Sequence, residues 1–274
     1  MSGEECFSNS TATGFAPDAA TVAVVGAGGR MGRMFCTRLR SAGYDVRELD
    51  QPLTEMAIRT GLRGADVVFL CIPAAVFVSV LDKLRGELRP PHILVDITSV
   101  KVQPMHQMAS AYSGPIVGTH PLFGPEPKAG ETRVAITPSS AADETHVRIV
   151  ETLFARMGCE TFRTTAEEHD EAAAFIQGLN FITTVSYLAT LAHRDEMTPY
   201  LTPSFLRRLE AAQKMLTEDA ELFAGLFEAN PSSHDAVRSF RNMLNIAAGG
   251  DVNVLVERAL WWWRSDNDTG GVRQ

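Results

Sequence analysis

The sequence predicts two architectures in succession: a parallel α/β domain over residues 21–164 and an all-α domain over residues 165–264, with tails at 1–20 and 265–274. Three observations predict this. Apolar, β-branched runs recur without polar alternation, the pattern of strands buried on both faces of a parallel sheet. Stretches with helical periodicity lie between them, so strand and helix alternate as in βαβ units. From about Thr165 the strand pattern stops, and only helical periodicity continues to residue 264.

The first twenty residues are rich in Ser, Thr, Ala and Gly and read as a flexible tail. Order begins with the strand Thr21-Val22-Ala23-Val24-Val25. Gly26-Ala27-Gly28-Gly29-Arg30-Met31-Gly32 follows at once and opens a helix that runs through Phe35 and Leu39 to Ala42, where Gly43 stops it. A second strand over residues 44–49 closes on Asp50. These are the parts of a Rossmann-type dinucleotide-binding unit. Glycines let the backbone approach a pyrophosphate, and the helix N-terminus stabilises its negative charge. The loop is one residue longer than G-x-G-x-x-G, and a lone glycine pattern is weak evidence; the flanking strand and helix and the acid about twenty residues on make it strong. Gly26, Gly28, Gly29, Arg30, Met31 and Gly32 are the candidate cofactor contacts. Asp50 is the candidate ribose ligand, and it selects NAD because a 2′-phosphate would face its carboxylate. The bland alternative is an αβ turn with a solvated aspartate.

A third buried strand spans residues 65–73, and Pro73 starts the loop expected near the nicotinamide ribose. An amphipathic helix over 76–84 and a strand over 92–97 follow. Thr98-Ser99-Val100-Lys101 stands at that strand's C-terminal end. A hydroxyl pair and a lysine there suit cofactor (Thr98) or substrate (Lys101), while Thr98 or Ser99 equally suits the cap of the next helix. Pro115-Ile116-Val117 is a short buried strand that delivers Gly118-Thr119-His120-Pro121-Leu122-Phe123-Gly124-Pro125. His120 therefore sits at a strand's C-terminal end, the edge where open α/β sheets place their chemistry. Imidazole titrates near neutrality, so a fixed histidine there is a natural proton acceptor; the alternative is a structural loop histidine. Residues 133–138 read as a strand, 144–157 as a helix and 159–163 as a last short strand.

Thr165-Ala166-Glu167-Glu168 has the form of a capping box and opens a long helix. On it His169, Ala173, Gln177, Asn180 and Thr184 share one face at regular helical spacing. Gln177 and Asn180 interrupt an apolar run, and polar groups there need a partner, either a substrate or another helix. Residues 203–215 form a helix carrying Arg207-Arg208, and further helices span 219–230, 232–249 and 251–264. Trp261-Trp262-Trp263 point three ways around a helix, so at least one ring is expected against another chain or domain.

Composition bounds the partners. The chain has 274 residues, a formal net charge of -8 and four cysteines. A mildly acidic protein is ill suited to nucleic acid or an anionic membrane, and the positive charge for an anionic substrate must be local. The cysteines lack metal-ligand spacing, so no metal is expected, and Cys36 and Cys71 read as inert core residues of a reducing compartment. Met1-Ser2-Gly3-Glu4-Glu5 lacks the start of a signal peptide, and no long apolar span is evident, which points to a soluble, cytoplasmic protein.

These residues resemble the prephenate dehydrogenase family, nearest its bacterial bifunctional-type branch, over about residues 20–264. The marks are Gly26-x-Gly28-Gly29-x-Met31-Gly32, Asp96-x-x-Ser99-Val100-Lys101, Gly118-Thr119-His120-Pro121-x-Phe123-Gly124-Pro125, Glu168-His169-Asp170 and Phe175-Ile176-Gln177-x-Leu179. The His-Pro-x-Phe-Gly-Pro block is the specific one. No chorismate mutase segment is expected, because the tail before Thr21 is short. The resemblance implies a Rossmann domain, an all-helical dimerisation domain giving a homodimer, and a site in the cleft between them. It implies NAD-dependent oxidation at ring carbon 4 of a dianionic cyclohexadiene, with loss of the ring carboxylate as carbon dioxide. His120 resembles the catalytic base and Ser99 the hydroxyl that orients it. Arg207 or Arg208 resembles the carboxylate-binding arginine, with Gln177, Thr119 and Lys101 as further substrate contacts.

One departure bears on the substrate. After Gln177-x-Leu179 the family has a histidine followed by Phe; here the pair is Asn180-Phe181. Histidine can become cationic, whereas asparagine stays neutral and offers a donor and an acceptor. The resemblance therefore favours a substrate with an amine on carbon 4, 4-amino-4-deoxyprephenate, giving 4-aminophenylpyruvate on the way to aminophenylalanine-derived antibiotics. The alternative is an ordinary prephenate dehydrogenase of tyrosine biosynthesis that tolerates Asn180. An inactive NAD-binding regulator is a reading of another class, opposed by the presence together of Ser99, His120, Arg207 and Arg208. A β-hydroxyacid dehydrogenase would need a lysine on the helix of residues 167–192, and there is none.

Overall fold

A computed structural model of the chain describes residues 20–264. Seven strands form one sheet in the order β2-β1-β3-β4-β5-β6-β7. They are β1 (Thr21–Val25), β2 (Asp45–Leu49), β3 (Val67–Leu70), β4 (Ile93–Asp96), β5 (Ile116–Pro121), β6 (Arg133–Pro138) and β7 (Glu160–Arg163). The first five run parallel. β6 pairs antiparallel with β5, and β7 runs parallel to β6. Five helices connect them: α1 (Arg30–Ser41), α2 (Glu55–Leu62), α3 (Phe77–Leu84), α4 (Val102–Ala111) and α5 (Glu144–Arg156).

The unbroken apolar runs are explained by helices on both faces. Side chains alternate along a strand, so Val22 and Val24 of β1 enter one core while Ala23 and Val25 enter the other. The first core holds Phe35 of α1, Phe69 of β3 and Phe154 of α5, with Phe35 edge-on to Phe69 at 5.2 Å between centroids. Burying one such ring stabilises the fold by about 2–3 kcal/mol. The second core holds Ile58 and Leu62 of α2, Leu81 and Leu84 of α3 and Met108 of α4. Cys36 is buried in the first core, where burial pushes its thiol up to about 11, so it is inert as expected.

α2 is an element that the sequence reading leaves out. It is eight residues long, capped by the Thr54 hydroxyl, which accepts from the Ala57 N–H at 3.2 Å. Only Ile58 and Leu62, one turn apart, mark its buried stripe. A single apolar pair is too little periodicity to stand out from a loop.

The chain divides between His169 and Asp170, after the first turn of α6 (Ala166–Ala173), rather than before Thr165. The reason is local: Ala166 packs on the second core and His169 bonds to His120 of β5. The predicted capping box forms, with Glu168 N–H donating to Thr165 Oγ1 and Thr165 N–H to the Glu168 carboxylate, each at 3.1 Å.

The second unit is helical. α6 passes through a π-helical turn at Ala174–Gly178 into α7 (Leu179–Thr190). Then come α8 (Pro203–Thr217), α9 (Ala220–Ala229), α10 (Ser233–Ala248), α11 (Val252–Ala259) and a 3₁₀ turn at Leu260–Trp263. Phe181 of α7 stacks on Phe223 of α9 at 5.6 Å. The Asn230 amide donates to the Asp170 carbonyl at 2.7 Å. Two expectations are corrected here. The π turn bonds i to i+5 and adds a residue to the repeat, so the face drawn through Gln177, Asn180 and Thr184 does not continue that of His169 and Ala173. Ala174 and Gly178 in the turn and Phe181 after it are buried, and Asn180 is exposed. Nor is a long apolar span lacking, because the continuous helical run Ala166–Thr190 is long and apolar enough, by length and composition, to cross a membrane.

Candidate active site

The site begins with the sheet. β1 has β2 on one side and β3 on the other, so the strand order reverses there. Ligands of open α/β sheets bind outside the carboxyl ends of the strands at such a reversal. The loops after β1, β2, β3 and β4 and the end of β5 all emerge on that edge, because these strands are parallel. They carry the glycine loop, Asp50, Pro73, Thr98 with Ser99, and His120 respectively.

Three glycines of the loop, Gly26, Gly28 and Gly32, leave no room for a side chain. Gly26 has φ of +85°, where L side chains are strained, and a Cβ there would overlap the Cys71 carbonyl at the end of β3. A Cβ on Gly32 would overlap the Gly26 carbonyl, so Gly32 lets α1 pack against the loop. A Cβ on Gly28 would strike the Asp50 carboxylate, which accepts the Gly28 N–H. Gly29 is the N-cap of α1 and no side chain caps that helix, so its first N–H groups are left for an anion. Met31 packs against the first core, Arg30 is exposed, and Arg33 donates to the Gly28 carbonyl. Asp50 also accepts from the Gln51 N–H at 2.7 Å. A carboxylate has about four acceptor positions, so room remains for two ribose hydroxyls. This cradle fits a dinucleotide.

Beside it lies a buried ion pair. Lys101 and Asp96 have no exposed side-chain surface, and Lys101 Nζ donates to Asp96 at 2.5 Å and to the Thr119 carbonyl at 2.7 Å. The Thr119 hydroxyl donates to the Asp96 carbonyl at 2.5 Å, and the Thr119 N–H to the Asp96 carboxylate at 3.3 Å. The residue before His120 is thus held at its N–H, its carbonyl and its side chain. The expectation that Lys101 and Thr119 contact substrate is corrected: both side chains are spent inside the fold, tying the end of β4 to β5. Capping by Thr98 or Ser99 is also corrected. α4 starts after Lys101 without a side-chain cap, and the buried Thr98 hydroxyl donates to the Asp96 carboxylate and lies 2.9 Å from the Val100 carbonyl. Half-buried Ser99 makes no side-chain hydrogen bond among the described residues.

His120 is 4% exposed, and its Nδ1 lies 2.9 Å from Nε2 of His169. Burial, then His169, then the Lys101 ammonium hold it well below the usual histidine range of 6.5, so it is neutral at neutral pH. It is bonded to a side chain, not to backbone as a structural loop histidine would be. His169, which the sequence places on a helix face and in the Glu168-His169-Asp170 mark without a role at the site, is the side chain that meets His120. Its signal was the capping box, which places it one turn into α6, but its partner lies 49 residues away.

The remaining candidates belong to the helical unit. Gln177 is half-buried in the π turn, and Asn180 is exposed at the start of α7. Arg207 and Arg208 are exposed on α8, and Arg208 stacks its guanidinium on the Tyr187 ring at 4.0 Å. Arg207 makes no such contact among the described residues. No group of three or more His, Cys, Asp or Glu side chains suited to a metal occurs among the described residues.

A family model for the prephenate dehydrogenase nucleotide-binding domain matches residues 50–162. The chain is 29% identical over 228 residues to the T-protein of Enterobacter agglomerans, a match covering 82% of this chain and 60% of that protein. It thus spans about three fifths of that relative's length. It is 28% identical over 233 residues to the 4-amino-4-deoxyprephenate dehydrogenase of Streptomyces pristinaespiralis, covering 77% of each. The fold is similar to the crystal structure of prephenate dehydrogenase from A. aeolicus in complex with hydroxyphenyl propionate and NAD+, with a TM-score of 0.70 at 20% identity over 88% of this chain and 94% of that one.

Proposed function

We propose that this chain, whose residues 50–162 match the model of the prephenate dehydrogenase nucleotide-binding domain, is a member of that family and an NAD-dependent enzyme that oxidatively decarboxylates a prephenate-type cyclohexadiene. The observation that carries this reading is a buried, neutral His120 on the same strand edge as a glycine cradle and Asp50. Bound NAD supplies the hydride acceptor. Nδ1 of His120 is occupied by His169, which leaves Nε2 for the substrate. As the hydride leaves carbon 4, Nε2 takes up the proton of the carbon-4 substituent. The ring carboxylate leaves as carbon dioxide, its electron pair completes the aromatic ring, and the proton returns to the substituent. Ser99, with its hydroxyl unspent, orients that group, and positioning carries most of the remaining rate.

Arg207 is our choice for a substrate carboxylate, since Arg208 is stacked on Tyr187. Arg207→Gln should raise KM by about one to two orders of magnitude, the loss of a charge-assisted contact, while Arg208→Gln changes it less. We further favour an amine on carbon 4. Asn180 is neutral, and the relative named for the amino substrate is matched over 77% of both chains. The similarity to T-proteins, at 29% and 26% identity, supports the hydroxyl-bearing substrate instead. An assay of NADH formation with prephenate, arogenate and 4-amino-4-deoxyprephenate separates these. A higher kcat/KM for the amino compound is expected, and Asn180→His should shift the ratio toward prephenate about tenfold, 1.4 kcal/mol. A preference for prephenate overturns the amino reading; no NADH from any of them overturns the activity. We also propose a cytoplasmic protein, and a homodimer formed through the helical unit; the homodimer is supported by exposed Leu244, Val252, Val256 and the Trp261, Trp262 and Trp263 rings.

A further inference from the structure

His169 enters the chemistry above only by occupying Nδ1 of His120, and which of the two rings carries the shared proton decides what that contact does. Both rings are nearly buried, at 4% and 6% exposure, and their facing nitrogens are 2.9 Å apart. Two N–H groups cannot face each other at that distance, and two lone pairs would repel without a bond. One proton therefore lies between them. It sits either on Nδ1 of His120 or on Nε2 of His169.

The choice decides what His120 can do. If the proton belongs to His169, neutral His120 carries its own hydrogen on Nε2 and meets the substrate as a donor. If it belongs to His120, Nε2 presents a lone pair. We propose that His169 is a positioning residue that accepts the Nδ1 proton of His120 and so keeps the Nε2 lone pair of His120 free for the substrate. The inference rests on the reading of His120 as proton acceptor, and it adds what makes that reading chemically consistent.

The fold prepares His169 for this. The Thr165–Glu168 capping box fixes the first turn of α6, and the His169 N–H bonds to the Thr165 carbonyl at 3.0 Å. Ala166 anchors the same turn in the second core. From the opposite side the Asp96–Lys101–Thr119 bonds hold the backbone before His120. Two rings on separately anchored elements are thus held to one hydrogen bond. When His120 takes up a proton, that bond becomes charge-assisted and stronger, which offsets part of the cost of placing a charge on a buried ring.

The test uses the full chain labelled with nitrogen-15 histidine. Ring-nitrogen shifts and couplings at neutral pH report which nitrogen is protonated, and loss of the signal in His120→Asn assigns it. Wild type should show His120 protonated on Nδ1. In His169→Leu the Nε2–H form should appear, with kcat reduced about tenfold to a hundredfold and both KM values little changed. His169→Gln places an amide oxygen near the position of Nε2 and should restore the Nδ1–H form and most of kcat. A wild-type His120 protonated on Nε2 overturns the proposal, as does His169→Leu with an unchanged tautomer and kcat. Should His169→Leu not fold, the wild-type spectrum and His169→Gln decide the matter. The spectrum needs no turnover, so it remains readable if none of the candidate substrates is oxidised.

Discussion

At the scale of the residue, two of the buried titratable groups beside the site, His120 and Lys101, have opposite tasks. His120 is held neutral chiefly by burial, with the Lys101 ammonium acting in the same direction. A base that stays neutral is fully competent over the whole neutral range. kcat/KM should therefore rise with pH only below 6.5 and stay flat through neutrality, and an acidic limb with its midpoint at or above about 7 would contradict the assignment. His120→Asn should lower kcat by about 10²–10⁴-fold, the usual worth of a general base. Lys101, by contrast, stabilises. Its ammonium is wholly buried against Asp96, and removing one partner of such a pair leaves a bare charge in the core. Lys101→Met should cost about 3–5 kcal/mol in urea or thermal unfolding, and adding Asp96→Asn should recover part of that loss. A cost below about 1 kcal/mol would show that the pair is not holding β4 to β5.

At the scale of the element, the turn from β1 into α1 is what makes the strand edge a binding site. Gly32 lies where α1 crosses the loop, and even one methyl would meet the Gly26 carbonyl, which is backbone and cannot swing aside. Gly32→Ala should weaken NADH binding, read by fluorescence titration, by at least about tenfold and lower the unfolding midpoint as well. Asp50, at the end of β2, should act on selectivity instead. Its carboxylate already accepts from Gly28 and Gln51, so it is preorganised toward the loop. Asp50→Ala should narrow the preference for NAD over NADP; an unchanged ratio of kcat/KM values would move the ribose contact to another side chain.

At the scale of the whole molecule, the buried histidines couple folding to pH. His120 and His92 are both held below 6.5 in the folded chain, chiefly by burial. The unfolded chain protonates them near 6.5 while the folded one does not, so their contribution is intact above that value. It is lost as pH falls from 6.5 toward the folded values, at up to about 1.4 kcal/mol per pH unit for one fully buried group. Glu144, whose carboxyl is held down at about 2 by Arg163 and Arg148, acts in a more acid window because its ordinary value is 4.5. Unfolding midpoints should therefore drop between about pH 6.5 and 5, and His120→Asn should make that slope shallower. A midpoint constant across this window would mean that His120 titrates normally.

Much of this was legible in the sequence, because the signals are local. Continuous β-branched runs identify strands covered on both faces, and the glycines between Val25 and Arg30 can only serve a loop that backbone must approach. Gly118 to Pro125 places His120 at a strand end whatever the rest of the chain does. The partners of those residues were not legible. A lysine after a strand end reads the same whether it faces solvent or turns back to an acid five residues earlier, and register between β4 and β5 decides which. The π turn at Ala174–Gly178 has no signature in composition, yet it turns Asn180 off the predicted face. His169 finds His120 across 49 residues of chain. Periodicity is a property of neighbours in sequence, whereas hydrogen-bond partners and burial are properties of neighbours in space, and those are assigned when the sheet and α6 come together.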